Sequence, residues 1–260
     1  QTMAIYSLKK SYLLKDLNEV NFQDLWGEHG IFTTMWIFGK PPKILFFENH
    51  IKNLIKSLKI YHVKKRTLKK DILKIINENL SKKLHYNHLL RIAVNEKIIS
   101  VSLRKRLSPK SNFNLKLVNL KREKPQYKNL KYKKILRHLI KMDNSKSDIG
   151  LVCNKMILET GTSNLLFIKQ NKIYTPTKDY YEGNTFKFIK SKIKNLIKKD
   201  IFVKDLKSYD EILLVGSGKG IASIKTIKQI GWKRKNLKKF KVLSKYYKSI
   251  INNCRPYSFK

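Results

Sequence analysis

Short runs of β-branched and aromatic residues, each ended by a turn signal within a few positions, constrain this chain most. Residues 31–38 read as a strand, Gly39-Lys40-Pro41-Pro42 as a turn, and residues 44–47 as the return strand of a hairpin. Asn49 is placed to cap a helix reaching about residue 58, with Ile51, Leu54, Ile55 and Leu58 at helical spacing. A second helix over 68–80 carries Ile72, Leu73, Ile75 and Ile76 as its apolar stripe. Two alternating segments, 88–94 and 97–103, are predicted to pair antiparallel. The polar, basic stretch 119–126, which holds Pro125, is the best linker. A helix over 131–142 comes next, then short strands at 149–153, 156–158, 164–168 and 172–174. The chain continues with a helix over 185–198 and strands at 201–203 and 211–215. This order predicts the α+β class: a small sheet domain over 1–118, a linker over 119–127 and a larger, strand-rich domain over 128–260.

The composition supports a packed core, at 42% hydrophobic and 11% aromatic residues over 260 positions. A net charge of +40 invites a nucleic-acid reading. Yet of 58 basic residues fifty are Lys and only eight are Arg. Arg is the residue that grips phosphates and bases bidentately. The lysines are spread along the whole chain, so a diffuse solvated surface is expected and nucleic acid is not an expected partner. Cys153 and Cys254 lack metal or redox spacing and read as reduced thiols of a cytoplasmic protein. No apolar run reaches 18 residues and no signal-peptide pattern opens the sequence, so no membrane partner is expected. His85 and His88 have the i, i+3 spacing of a metal pair, but no third ligand stands nearby in sequence, and surface histidines are expected.

Two elements suit an anion. Gly216-Ser217-Gly218-Lys219-Gly220 follows an apolar strand and can open a helical turn, letting backbone N–H groups converge. It is not a Walker A loop, because Leu213 stands where a glycine is required. A plain strand-to-helix turn fits the spacing equally well. Gly183-Asn184-Thr185 is the second element, again just before a helix; an ordinary helix start is the alternative.

Leu158-Glu159-Thr160-Gly161-Thr162-Ser163-Asn164-Leu165-Leu166-Phe167 resembles the TEGxSNLF signature of the class IV (fold-type IV) pyridoxal 5'-phosphate (PLP) enzymes. Tyr174-Thr175-Pro176, Gly183-Asn184-Thr185 and Gly216-Ser217-Gly218 resemble that family's later blocks. Upstream, Gly30-Ile31-Phe32-Thr33-Thr34-Met35, His50-Ile51-Lys52-Asn53-Leu54 and Lys128-Asn129-Leu130-Lys131-Tyr132 resemble its earlier ones. The blocks fall in family order over nearly the whole chain.

The resemblance implies a small N-terminal α/β sandwich and a larger C-terminal pseudo-barrel domain, with PLP between them, in a homodimer. It implies that Lys128 bonds covalently to the cofactor and acts as the base, and that Glu159 stands opposite the pyridine nitrogen. It places Asn184, Thr185, Ser217 and Gly218 at the phosphate, Tyr132 at the ring oxygen, and Asn164 in support. A solvent-exposed Glu, a core Tyr or a buried turn amide would serve the same sequences. Three positions depart from the pattern. Asn53 stands in place of the phosphate-binding Arg, Phe186 in place of the Arg after the second anion element, and Lys131 in place of the Asn before Tyr132. Lys56, one helical turn beyond Asn53, is the expected substitute cation.

Within the family, aminodeoxychorismate lyase, branched-chain aminotransferase and D-amino-acid aminotransferase compete. The compact length and the Phe32-Thr33-Thr34 run resemble the lyase. Its substrate would be a small dianion, with Thr34 and Arg91 as candidate contacts. A solvent-facing strand Arg is the alternative for Arg91. A degenerate scaffold that binds polyanions without catalysis is the third alternative.

Overall fold

A computed structural model describes residues 6–110 and 112–259; the signal-peptide reading falls in part on residues 1–5, which lie outside the described residues. The chain forms two compact units. One gathers the residues up to Arg106 with Tyr127–Lys133 and the segment from Cys254 onward. The other comprises Leu107–Gln126 and Lys134–Asn253. Lys128 therefore clusters with the N-terminal part of the chain.

The first unit holds β1 (Tyr6–Leu13), β2 (Glu19–Val20), β3 (Gly30–Gly39), β4 (Lys43–Ile44), α1 (Phe47–Leu58), α2 (Leu68–Asn79), β5 (Tyr86–Asn95) and β6 (Ile98–Lys105). The strands make one antiparallel sheet in the order β2-β1-β6-β5-β3-β4. Alternation decides its two faces. Ile31, Met35, Ile37, Leu90, Ile92, Val94, Ile99, Val101 and Leu103 point one way and join Ile51, Leu54 and Leu58 of α1 and Leu68, Ile72, Ile75 and Ile76 of α2 in one buried cluster. The opposite face carries Phe32, Thr34, Trp36, Arg91, Ser100, Ser102 and Arg104, and no helix of this unit covers it. The expected hairpin at residues 39–42 is present, pairing Ile37 with Ile44. Its return strand is only two residues long, because Phe46 adopts φ 57 and turns the chain into α1 at Phe47. Asn49 thus lies inside the helix and caps nothing.

β4 covers only the end of β3. The other half of that edge is taken by residues 128–130, which run antiparallel to the start of β3. Phe32 N donates to Lys128 O at 2.9 Å and Leu130 N donates to Gly30 O at 3.0 Å.

The second unit contains β7 (Phe113–Asn119), α3 (Lys133–Leu139), β8 (Ser147–Cys153), β9 (Met156–Thr160), β10 (Asn164–Lys169), β11 (Lys172–Thr175), α4 (Asn184–Ser191), β12 (Leu196–Lys198), β13 (Glu211–Gly216), β14 (Gly220–Ile227), β15 (Trp232–Lys233) and α5 (Lys238–Asn252). Its nine-stranded mixed sheet runs β12-β11-β10-β13-β14-β7-β8-β9, with β15 beside β14. β13 is buried along its whole length, as its unbroken run Ile212-Leu213-Leu214-Val215 requires of a central strand.

Four sequence readings are corrected in this unit. α3 is shorter than expected and begins after Tyr132. The helix expected over 185–198 stops at Ser191, and Leu196–Lys198 instead pairs parallel with β11, where backbone partners are available. The strand expected at 201–203 is a single bridge, Met156 to Phe202, followed by a 3-10 turn. Gly216–Gly220 does not open a helix. It turns the chain between β13 and β14, with Gly216 opposite Gly220 and Gly220 at φ 66. β-branched alternation after Gly220 favours a strand there. α5 was not foreseen. Its first turn is set from a distance, since Lys239 N and Phe240 N donate to the two carboxylate oxygens of buried Glu211 at 2.8 and 3.0 Å.

Gly30 has no room for a side chain. A Cβ there would lie 2.3 Å from the Val94 carbonyl oxygen and 2.7 Å from Leu130 Cδ1. Gly30→Ala is expected to lower unfolding stability by about 2 kcal/mol or more, through separation of β3 from β5 and from residues 128–130. A urea midpoint unchanged from the parent would refute this.

Candidate active site

In the first unit the candidate residues meet at Phe32. Lys128 is half-buried, its backbone is fixed to β3, and its Nζ lies 5.2 Å from the Phe32 ring centroid. Tyr132 is buried, stacks on Trp26 at 5.4 Å and meets Phe32 edge-on at 5.5 Å. Arg91 lies 3.7 Å over Trp26 and 5.5 Å from Phe32, with one terminal nitrogen donating to Asp24 O at 2.7 Å. Thr34 is the cross-strand partner of Arg91. The segment around Lys128 is knit to residues 25–30: Gly27 N donates to Leu130 O, and Lys131 Nζ donates to Gly27 O at 2.8 Å. Lys131, one of the departures, thus has a local structural role.

Arg104, absent from the sequence reading, belongs to the same face. Arg91 pairs with Ser102, and Arg104 lies two residues further along β6 on the same side. Burial lowers both guanidinium pKa values, Arg91 to about 10, which leaves Arg91 charged at neutral pH. Asp24 offsets part of this for Arg91, as do Tyr6 and Tyr132 for Arg104. Neither makes an ion pair among the described residues, and Arg91 Nε is buried without a hydrogen-bond partner there.

His50, on α1, is buried and shares a 2.7 Å hydrogen bond through Nδ1 with Thr33 Oγ1. Burial, helped by the nearby Lys128 ammonium, pushes its pKa down to about 3. Asn53, one turn on, is half-buried. Lys56 is exposed. The i+3 step sets it about 60° around α1 from Asn53 and the i+6 step about 120° from His50.

In the second unit Glu159 is buried at the end of β9. Arg122, also buried and likewise missed in the sequence, stands beside it: Nε is 3.2 Å from Oε1, and an NH2 group donates to Oε2 at 3.4 Å. Tyr181 N donates to Oε2 as well, at 3.3 Å. In a chain with eight Arg, this one keeps a desolvated carboxylate matched. Asn164 ties the two anion elements together. Its side chain accepts from Gly183 N at 3.1 Å and donates to Tyr181 O at 2.6 Å, while its backbone pairs with Val215, next to Gly216. Asn184 and Thr185 are buried in the first turn of α4. Thr185 Oγ1 has no hydrogen-bond partner among the described residues. Ser217 and Gly218 are half-buried at the β13–β14 turn. Phe186, which replaces an expected Arg, is fully buried core.

Taken unit by unit, these donors are of the types that PLP needs. An orphaned buried hydroxyl at a helix N-terminus and a glycine-rich turn suit the phosphate; a buried, cation-matched carboxylate suits a protonated pyridine nitrogen. A half-buried lysine anchored by its own backbone suits the aldehyde. No group of three His, Cys, Asp or Glu placed to hold a metal occurs among the described residues. No helix among them is long and apolar enough to cross a membrane.

Comparison with known proteins agrees. The family model for amino-transferase class IV matches residues 30–227, about three quarters of the chain. The chain belongs to that family and is a PLP-dependent enzyme, an aminotransferase or a lyase. Its fold is the fold-type IV architecture that the sequence blocks imply. The branched-chain aminotransferase of Thermoproteus uzoniensis superposes with a TM-score of 0.73 at 15% identity, over 94% of this chain and 95% of that one. A protein of Legionella pneumophila provisionally assigned as a 4-amino-4-deoxychorismate lyase gives 0.68 at 18% identity, over 85% and 91%. A hypothetical aminotransferase of Mycobacterium tuberculosis in its PLP-bound form gives 0.66 at 14%, over 95% and 99%. No curated protein matches the chain.

His50 makes acid stability a direct test. Its folded pKa lies below the ordinary 6.5, so between about pH 6.5 and 3 the unfolded chain binds the extra proton and stability falls as pH falls. At pH 4 the loss attributable to His50 is on the order of 3 kcal/mol. His50→Gln should flatten that part of the pH profile of unfolding. An unchanged slope would show that His50 is not buried neutral.

Proposed function

We propose that this enzyme converts 4-amino-4-deoxychorismate to 4-aminobenzoate and pyruvate. One observation carries the reading. Arg91 and Arg104 present two largely desolvated guanidiniums, without ion-pair partners among the described residues, on the helix-free face that also bears Thr34 and Phe32. Such a pair suits a substrate with two carboxylates better than the apolar side chain of a branched-chain amino acid.

In this reading Lys128 anchors the cofactor, then uses its freed amine to take the proton from the amine-bearing ring carbon of the substrate. PLP, when bound, supplies the electron sink for the pair left on that carbon. The C–O bond to the enolpyruvyl group breaks, the ring aromatises, and the expelled enolpyruvate takes up a proton to become pyruvate. Glu159, paired with Arg122, would stand at the pyridine nitrogen and favour its protonated form. Thr185, Asn184, Ser217 and Gly218 hold the phosphate, and Asn164 keeps their two segments together. Tyr132 donates to the ring oxygen, with Trp26 and Phe32 fixing its plane. Arg91 and Arg104 take the carboxylates. The net charge of +40 draws an anionic substrate in. A homodimer, implied by the sequence resemblance, belongs to the proposal and is testable by sedimentation.

The purified protein should absorb near about 410–420 nm, where lysine-bound PLP absorbs, and Lys128→Ala should abolish the band. Pyruvate should appear from aminodeoxychorismate without any keto acid. Arg104→Gln should raise KM by about tenfold or more, as for a lost charge-assisted hydrogen bond. Amino-acid formation from keto acids, with no pyruvate release, would instead establish the aminotransferase. Salt-sensitive RNA binding without an absorbance band would establish a degenerate polyanion binder. In binding experiments on apoprotein, Thr185→Val should weaken PLP about tenfold with no loss of apoprotein stability, since the hydroxyl it removes is unpartnered among the described residues. Lys56→Ala should leave PLP affinity within about twofold, given its exposure. The reverse ranking would return the phosphate to Lys56.

A further inference from the structure

Lys219 is the only lysine buried among the described residues of a chain that contains fifty. A buried ammonium needs a matched partner, and Asp148, fully buried on β8, supplies it at 2.7 Å. The pair is the centre of a polar cluster. Lys219 Nζ donates to Asp148 Oδ2 and to Thr162 Oγ1, both at 2.7 Å. Thr162 Oγ1 in turn donates to Asp148 Oδ2 at 2.7 Å, and Thr160 Oγ1 donates to the same oxygen at 2.9 Å. Asp148 Oδ1 accepts from Ile149 N. Thr160 Oγ1 accepts from Ser163 N at 2.8 Å and so fixes the loop that follows Glu159. Lys219 itself ends the three-residue turn that contains Ser217 and Gly218.

The cluster therefore joins two segments. One is the loop leaving Glu159, and the other is the turn between β13 and β14. Close packing reinforces the joint: a Cβ at Gly216 would lie 2.7 Å from Ser163 Oγ and 3.1 Å from Thr162 O. The salt bridge adds little net stability once desolvation is counted. What it does provide is one geometry for an otherwise short and glycine-rich turn, because any other placement would leave a charge buried and alone.

We propose that Lys219 is a positioning residue for the cofactor phosphate. Through Asp148 and Thr162 it holds the turn so that Ser217 Oγ and the adjacent backbone N–H groups converge on the anion. This rests on reading the 217–218 turn as a phosphate site, and the experiment separates the two claims.

The readout is the affinity of apoprotein for PLP and for pyridoxal, which lacks the phosphate, measured by equilibrium dialysis. The parent should prefer PLP strongly. Ser217→Ala should shrink that preference; a parent or Ser217→Ala protein with no change in preference overturns the phosphate reading itself. Lys219→Met should weaken PLP at least tenfold while leaving pyridoxal within about twofold, and Lys219→Arg should recover part of the loss. Equal weakening of both ligands, or of neither, overturns the positioning role while leaving the phosphate reading intact. If Lys219→Met does not fold, the double variant Asp148→Asn/Lys219→Met leaves no lone buried charge and carries the same comparison. Thr162→Val, which removes only the hydroxyl between them, should shift the preference in the same direction by a smaller factor. Retention of the full preference in these variants counts against the proposal.

Discussion

Burial of charge governs the second unit. Asp148, Glu159 and Glu211 are the acids buried among the described residues, in a chain with only eighteen acids. A carboxylate taken out of water costs several kcal/mol unless its charge and lone pairs are met. Each of the three is met differently: Asp148 by Lys219 and two threonine hydroxyls, Glu159 by Arg122 and the Tyr181 amide, Glu211 by the first amides of α5. These pairings fix where β8, β9, the 217–219 turn and α5 lie. The candidate cofactor residues of this unit inherit their positions from them.

The first unit uses the opposite economy. Its helix-side face is apolar, apart from the neutral His50–Thr33 pair. Its other face gathers aromatic rings and guanidiniums that lack ion-pair partners within the described residues. Aromatic rings can shield a guanidinium without neutralising it, so the charge stays available to a ligand. The remaining lysines are mostly solvated, and their ion pairs with exposed acids, such as Lys69 with Glu48, add little stability. The large net charge is then a matter of attraction and self-repulsion, and does not determine the fold.

Much of this was legible in the sequence because it is local. The alternation of residues 31–38 and 88–103 marked β3, β5 and β6. The stripe Ile72, Ile75, Ile76 marked α2. The ordered blocks around Lys128, Glu159, Thr185 and Ser217 marked the family. What stayed hidden was long-range. Arg122, Arg104 and Lys219 are three basic residues among 58, and nothing in their neighbours distinguishes them. Their roles depend on Glu159, Arg91 and Asp148, up to 71 positions away. α5 escaped for a similar reason: Asn236 accepts locally from Lys238 N, but the next two amides are capped by Glu211 from 28 or more residues back. Lys56, exposed one helical turn beyond Asn53, keeps its proposed role only through that spacing.

The sequence alone determined the strand periodicities and most turn positions, because these depend on neighbours within a few positions, and its ordered blocks supplied the candidate residues for PLP chemistry. Tertiary structure alone decided which cations stand beside which acids. It also decided that Lys128 lies on the open half of the β3 edge, and that the Gly216–Gly220 segment is a hairpin turn held by a buried ion pair. Those outcomes follow from desolvation and backbone pairing between distant segments, which act only once the chain has folded.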